Sequence, residues 1–405
     1  MQRSSQKLPK ILFVNDFSPD SLAIADLVRQ LFLGYPREQI AWWYSRKSPV
    51  RGLTDLTVGQ LHCCPLPTKL VPNRRLTSLR AAILERIWVP IAARHLKRTV
   101  SAVKPDLVWV LLFSWPILVA RKAGLGGGVP LHVSLWDIPD TKPHVAIWGK
   151  ARADRFLKAV YWLIRNSTSF DGISPGMLEE IVTHTGRRDG ILVHSGFEPE
   201  HLAALSSQIA TPSDNVLKLA YVGTIISERA FLNILTALEK LRPHLPKPLK
   251  LEFFGARGYR SAPWFNSEWM LEHGVFSDRG LVEALQRCDW GIVVTDPEVE
   301  DVRYSRFSFP NKIGTYLSAG VPILAVGHKE SALAEVMKSS RVGAFTIEYE
   351  GSALEKFLSE TLRIANPRSQ YRDSILQCAS TEFSANEIRA RLWNAWIQSH
   401  QQSRT

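Results

Sequence analysis

The chain has 405 residues, 45% apolar and 22% charged, which excludes a disordered chain and suits about two or three domains with proper cores. No apolar run approaches the roughly 20 residues of a membrane span, and Cys63, Cys64, Cys288 and Cys378 have neither zinc-ligand spacing nor a disulfide-rich pattern, so a reducing, cytoplasmic setting is expected. The net charge of +12 is uneven: residues 1–200 hold 27 Lys/Arg against 16 Asp/Glu, residues 201–405 hold 23 against 22, and the basic half calls for a polyanion, a phosphate-bearing molecule or an anionic membrane.

In chain order, the first apolar run, "KILFVN" (10–15), is broken at once by Asn15 and Asp16 and reads as a strand, not a signal peptide. A helix near 20–33 and a strand "QIAWWY" (39–44) follow. Next come a basic helical stretch (69–100), "DLVWVLL" (106–112), a helix near 115–124 and "PLHVSLW" (130–136). A helix near 144–166, "SFDGIS" (169–174), a helix near 175–185 and "GILVH" (190–194) complete the first series. Strands that are apolar throughout, separated by helices, predict a parallel sheet covered on both faces.

A polar stretch, "SSQIATPSDN" (206–215), reads as a linker, and the alternation then restarts. "LKLAYVG" (217–223), a helix over 228–242 and "LKLEFFG" (249–255) lead to a helix over 279–287, "DWGIVVT" (289–295), a helix over 311–319 and "VPILAVG" (321–327). The expected fold class is α/β: two doubly wound, Rossmann-like units, over 1–205 and 206–380, with ligands at the carboxyl ends of the strands and an active site in the cleft between them. The last stretch, 381–405, holds an amphipathic helix with Ser384 as N-cap and Glu387 three residues on.

Three places in the second series could hold an anion. In "YVGTIISERAFLNIL", a strand ends at Gly223, Thr224 follows, and Arg229 falls at the start of a helix, where free amides and a guanidinium can meet a phosphate. An ordinary strand–helix turn with a solvated arginine would read the same. "FFGARGYR" sets Gly255 and Arg257 directly after a strand but lacks a dinucleotide fingerprint. In "SFPNKIGTYLSAGVPIL", Pro310 opens a helix that Gly320 and Pro322 close, and Lys312 puts positive charge at the already positive helix end. An anion there, held with Ser308 and Asn311, would resolve the conflict. Occurring in this order, the three converge on a nucleoside diphosphate.

Taken with these motifs, the chain resembles a GT-B glycosyltransferase, close to the large family 4 type, along nearly its full length. "RCDWGIVVT" followed by "FPNKIGTYLSAGVPILAV" is similar to the family's most specific block, and "LEFFGARG" to its glycine turn beside the base. "DGISPGMLEEI" and "ILVHSGFEPE" are similar to its run into the linker, and "EFSANEIRARLWNAW" to its closing helix that crosses back onto the first domain. The resemblance implies that Lys312 and Arg229 hold the donor's diphosphate; the family's arginine next to the glycine is Thr224 here. It also implies two glutamates eight positions apart. Phe307 and Thr315 occupy those positions, so the ribose contact passes to Thr315, to Glu298 or Glu300, or to none. No metal or other cofactor is implied; the nucleotide-diphosphate sugar is a substrate.

By the same resemblance the first domain takes the acceptor, a glycan or lipid-linked molecule. Its 69–100 stretch holds eight basic residues, among them Arg74, Arg75, Arg80, Arg86, Arg94, Lys97 and Arg98, against one acid, Glu85. Leu76, Leu79, Ile83, Ile87, Ile91 and Leu96 fall roughly on one helical face, interrupted by Pro90. The helix suits an anionic membrane surface, as a peripheral protein on the inner face of the cell membrane, or simply packs on the sheet with a solvated basic side. An inverting transfer needs a base, for which Asp137, just past a strand's carboxyl end, is the first candidate and Asp16 the second; either could instead cap a loop. The expected function is sugar transfer from a nucleotide-diphosphate sugar to a lipid-linked or polysaccharide precursor. An epimerase of the same fold and an inactive sugar-nucleotide-binding subunit are alternatives. Nucleic-acid binding is disfavoured because no recognised module accompanies the charge.

Overall fold

A computed structural model describes residues 8–19, 21, 24–46, 58–67, 77–137, 145, 149–198, 200, 215–276, 278–295 and 302–403. The chain divides into two compact units, one of Met1–His194 with Ile388–Thr405, the other of Ser195–Glu387. The stretch expected as a linker, 206–215, lies outside the described residues except for its last residue.

The first unit is built on seven strands: β1 (Ile11–Val14), β2 (Ile40–Tyr44), β3 (Gln60–Cys63), β4 (Leu107–Leu111), β5 (Leu131–Leu135), β6 (Ser169–Gly172) and β7 (Ile191–Leu192). They form one sheet in the order β3-β2-β1-β4-β5-β6-β7, with every pairing parallel. The strand order reverses between β1 and β4, as in a doubly wound sheet. The connecting helices are α1 (Ile24–Phe32), α2 (Thr77–Ile83), α3 (Val89–Val103), α4 (Pro116–Ala123), α5 (Lys150–Arg165) and α6 (Pro175–Thr185).

One face of this sheet is aromatic because β1, β2 and β4 each place large rings there. Phe13 lies 4.3 Å from Trp109 and 4.8 Å from Trp42, and Phe32 of α1 lies 5.2 Å from Trp109. The C-terminal helix closes this core: its Ile388, Leu392 and Trp396 are buried in the same cluster, with Trp396 5.0 Å from Trp109. At the other end of the sheet a buried polar network joins β5 to β6. Asp171 meets His132 at 2.8 Å and Trp136 at 2.9 Å, with Ser134 also donating to it, while the other His132 nitrogen meets Ser169 at 2.7 Å. Each buried polar atom thereby has a partner, which such a site requires.

The second unit has six strands: β8 (Leu217–Val222), β9 (Leu249–Phe254), β10 (Met270–Gly274), β11 (Trp290–Val294), β12 (Ile323–Val326) and β13 (Gly343–Thr346). Their order is β10-β9-β8-β11-β12-β13, again all parallel, and the order reverses between β8 and β11. Its helices are α7 (Glu228–Leu241), α8 (Asp278–Leu285), α9 (Val302–Phe307), α10 (Lys312–Ser318), α11 (Ala332–Ser340), α12 (Gly351–Leu362) and α13 (Pro367–Thr381). The last helix, α14 (Ala385–Gln402), begins here with the Ser384 hydroxyl accepting from the Glu387 amide at 3.4 Å, and belongs to the first unit from Ile388 on.

Three strands were not legible as such: β3, β10 and β13. Each is an outer strand of its sheet and carries exposed or half-buried positions. The basic stretch also differs from the single amphipathic face expected of it. Leu84, Trp88, Ala92 and Leu96 are buried, whereas Leu79, Ile87 and Ile91 are exposed. The cause is local. Pro90 has no amide to continue the helix, and a π turn over Leu84–Trp88 precedes α3, with the Val89 amide reaching back to the Leu84 carbonyl. The wider turn takes up one residue and brings Leu79 toward the face of Ile87 and Ile91, whereas Leu96, five residues after Ile91 in regular helix, lies more than a third of a turn away and is buried. Leu76, Arg74 and Arg75 lie outside the described residues.

Candidate nucleotide-sugar site

In the second unit the switch point between β8 and β11 is held open by one side chain. The two strands pair only at Leu219 with Trp290 and at Ala220 with Gly291. Beyond that, the Tyr316 hydroxyl stands between them. It accepts from the Val222 amide at 2.9 Å and faces the Ala220 and Ile292 carbonyls at 3.1 and 3.2 Å. The ladder bonds lost where the strands part are thus replaced by a buried phenol, and the carboxyl ends of β8 and β11 splay.

One turn earlier on the same short helix, Lys312 lies over the end of β8. Its ammonium donates to the Tyr221 hydroxyl at 2.7 Å and to the Thr224 carbonyl at 3.0 Å, and sits 3.9 Å from the Tyr221 ring centre. Two neutral oxygens and a ring face hold the cation, and among the described residues no carboxylate pairs with it. Desolvation accordingly pulls its pKa down to about 7. The fold thus sets a half-buried ammonium at a helix start, without a counter-charge among the described residues.

The helix itself begins at Lys312 rather than at Pro310, although the Ile313 amide already bonds the Pro310 carbonyl at 3.0 Å. Asn311 is the N-cap in helical backbone and makes no side-chain capping bond. Ser308 follows α9, its amide bonded to the Tyr304 carbonyl at 2.8 Å. The Thr315 hydroxyl turns back toward the Asn311 carbonyl at 3.5 Å. Glu298 and Glu300 lie outside the described residues.

The loop after β8 turns at Gly223, whose φ of +78° suits a residue without a side chain. Thr224 is exposed and its carbonyl is the one that Lys312 grips. Arg229, in the first turn of α7, is exposed; its guanidinium lies 3.4 Å from Glu350 and 5.7 Å from the Tyr349 ring centre. After β9, the Gly255 amide bonds the Gly274 carbonyl at 2.8 Å, and the exposed Arg257 lies 5.9 Å from the Tyr259 ring. Tyr259 ties the two loops together, its hydroxyl accepting from the Ile225 amide at 2.9 Å. Between the loops is a pocket of about 280 Å³, lined by Ile225, Ile226, Arg257, Tyr259 and Trp264 among others.

In the first unit, Asp16 follows β1 and is buried against Arg46, 2.9 Å from its Nε, with the Ser45 hydroxyl also donating to it. Burial raises its pKa, partly offset by Arg46. Asp137 follows β5 by two residues and is half-buried. Tyr221, Tyr316, Gly291 and Tyr259 were not singled out by sequence reasoning. Each acts on a partner distant in the chain, and no local motif signals that.

Two all-parallel doubly wound sheets with flanking helices make the GT-B fold. More particularly, residues 233–349 match the family model described as "Glucosyltransferase 3-like, C-terminal domain". No curated protein matches the sequence. Solved structures match its fold at low identity. Anabaena HepE in complex with UDP-glucose is 14% identical, with a TM-score of 0.64 over 95% of this chain and 98% of that one. Sucrose-phosphate synthase from Thermosynechococcus elongatus is 13% identical, with a TM-score of 0.69 over 96% and 98%. The lipopolysaccharide outer core galactosyltransferase WaaB is 14% identical, with a TM-score of 0.62 over 96% and 99%.

Proposed function

We propose that the protein transfers a sugar from a nucleoside diphosphate sugar to a lipid-linked or polysaccharide precursor at the inner face of the cell membrane. The observation that carries the donor half is Lys312: a desolvated ammonium, lacking a paired carboxylate among the described residues, at the switch point of a doubly wound sheet. A diphosphate supplies the missing counter-charge. In this reading Arg229 joins Lys312 on the diphosphate, exchanging Glu350 for it, and the Gly223–Thr224 turn lets the phosphates approach the backbone. The pocket lined by Arg257 and Gly258, in the loop that Gly255 opens, takes the base, while Thr315 or the glutamates at 298 and 300 contact the ribose or the sugar. The UDP and UDP-glucose complexes of HepE make uracil the first base to try.

The first unit takes the acceptor, a role supported by its excess of positive charge. For an inverting transfer Asp137 is the proposed base. Asp16, buried against Arg46 and Ser45, better suits holding the β1 and β2 loops together. In this reading the transfer runs without a metal, and the nucleotide-diphosphate sugar is a substrate rather than a cofactor. The membrane contact proposed is peripheral; no helix among the described residues is long and apolar enough to cross a membrane. Titrating the protein with a panel of nucleoside diphosphate sugars tests the reading. Binding of at least one, lost in Lys312→Met, is expected; binding of none would overturn it.

A further inference from the structure

The helical rod from α2 through the π turn to α3 has two unlike sides. One is packed: Ala81, Leu84, Trp88, Ala92 and Leu96 are buried. The other presents Leu79, Ile87 and Ile91, which are 57, 57 and 51% exposed although they are large and apolar. These three lie within 13 residues of chain on one rod. Scattered single apolar residues on a surface need no explanation, but a row of them does.

The charges around the row are of one sign. Arg86, Arg94, Lys97 and Arg98 are exposed beside it, with Arg80 half-buried at its start. The one acid of the stretch, Glu85, is turned away to α5, where it is bonded by Arg155 at 2.9 and 3.0 Å, with Arg152 at 3.5 Å. That pairing has two effects: it pins the rod to the unit and it takes up the one acid of the 69–100 stretch. An apolar row beside Arg86, Arg94, Lys97 and Arg98, for which no acidic partner stands among the described residues, matches a surface with anionic groups outside and hydrocarbon just beneath. A second copy of the chain would bring the same cations into opposition, and an acidic protein would not by itself ask for the three aliphatic side chains.

We infer that Leu79, Ile87 and Ile91 insert into an anionic lipid bilayer while the flanking arginines and lysine hold its headgroups, so that the π turn is the device that aims the apolar row at the lipid. The inference rests on the proposed membrane-borne acceptor for its use in the reaction, not for its test. It differs from simple attraction of a basic surface, which would leave the aliphatic side chains without a role.

The test is sedimentation of the full chain with vesicles of phosphatidylcholine alone and of phosphatidylcholine with phosphatidylglycerol. Wild type is expected to bind the anionic vesicles and to weaken with salt. Ile87→Ser with Ile91→Ser should lower that binding about tenfold or more, because each loses buried aliphatic area. Ile87→Trp should retain it. Arg86→Glu with Arg94→Glu should abolish the preference for anionic lipid. These positions are exposed, so unchanged circular dichroism and melting are expected to accompany each result. Wild-type affinity in the double serine variant would overturn insertion, as would equal binding to both vesicle types. A wild-type dimer that the serine variant dissolves would assign the row to a second copy instead. UDP binding measured on the same variants keeps the two readings apart: it should be unaffected, and its absence in wild type would sink the donor site without touching the docking face.

Discussion

A methyl group added to Gly291 would come within 2.4 Å of the Tyr316 ring, so the glycine in β11 is the seat of the tyrosine that parts β8 from β11. Gly291→Ala therefore cannot be accommodated without moving the ring. It should destabilise the second unit by about 1–3 kcal/mol and weaken donor binding together with it. Tyr316→Phe keeps the ring but strands the Val222 amide, and should cost about 1–3 kcal/mol. Urea denaturation of both variants beside donor titration checks this. Two stable variants with unchanged affinity would remove Tyr316 from the account.

Trp396 ties the end of the chain into the first unit's aromatic core. Trp396→Ala should cost about 3–5 kcal/mol through lost transfer energy and the cavity left behind. Denaturant melts would read the loss directly. A shift well below that range would mean the helix end contributes little to this core.

Arg229 and Glu350 are both exposed, so their contact adds little to stability. If Arg229 turns to the diphosphate, Arg229→Ala should weaken donor binding by about 1.5–3 kcal/mol, the range for hydrogen bonds to charged groups. Glu350→Gln should leave affinity unchanged or strengthen it. Calorimetric titration of the two variants decides between them, and a loss in Glu350→Gln alone would assign the site to the glutamate instead.

Much of this architecture was legible in the sequence, for a physical reason. Central strands such as "ILFV", "LVWVL" and "WGIVV" are buried on both faces and so are apolar at every position. Outer strands have one neighbour and open sides; "QLHC", "MLEHG" and "GAFT" accordingly carry no continuous apolar run, and they were missed. The site shows the same division. Lys312 was visible because it breaks a local rule, positive charge at a positive helix end. Tyr316 obeys every local rule as an apolar-side residue of its helix. Its part in the site depends on Gly291 and on Val222, which lies 94 positions away. The alignment of Leu79 with Ile87 and Ile91 depends on a π turn that Pro90 announces without fixing its place.

The Lys312 ammonium also makes stability depend on pH. Its pKa falls to about 7 in the fold from an ordinary 10.5, so between those values the unfolded chain binds more protons and stability rises with pH. Below 7 the half-buried, desolvated charge is a burden, and Lys312→Met should melt higher than wild type there. An increase in melting temperature for the variant that is the same at every pH would contradict this.

The central claim is that this ammonium awaits a diphosphate, and calorimetric titration with UDP in two buffers of different ionisation enthalpy tests it most directly. Binding an anion favours the charged amine, so at a pH a unit or more above 7 each UDP bound should take up close to one proton, and at a pH well below 7 almost none. Affinity should fall as pH rises through 7, and Lys312→Met should lose both the proton uptake and about 1.5–3 kcal/mol of binding. UDP binding with no proton uptake, at an affinity equal in wild type and Lys312→Met, would contradict the account.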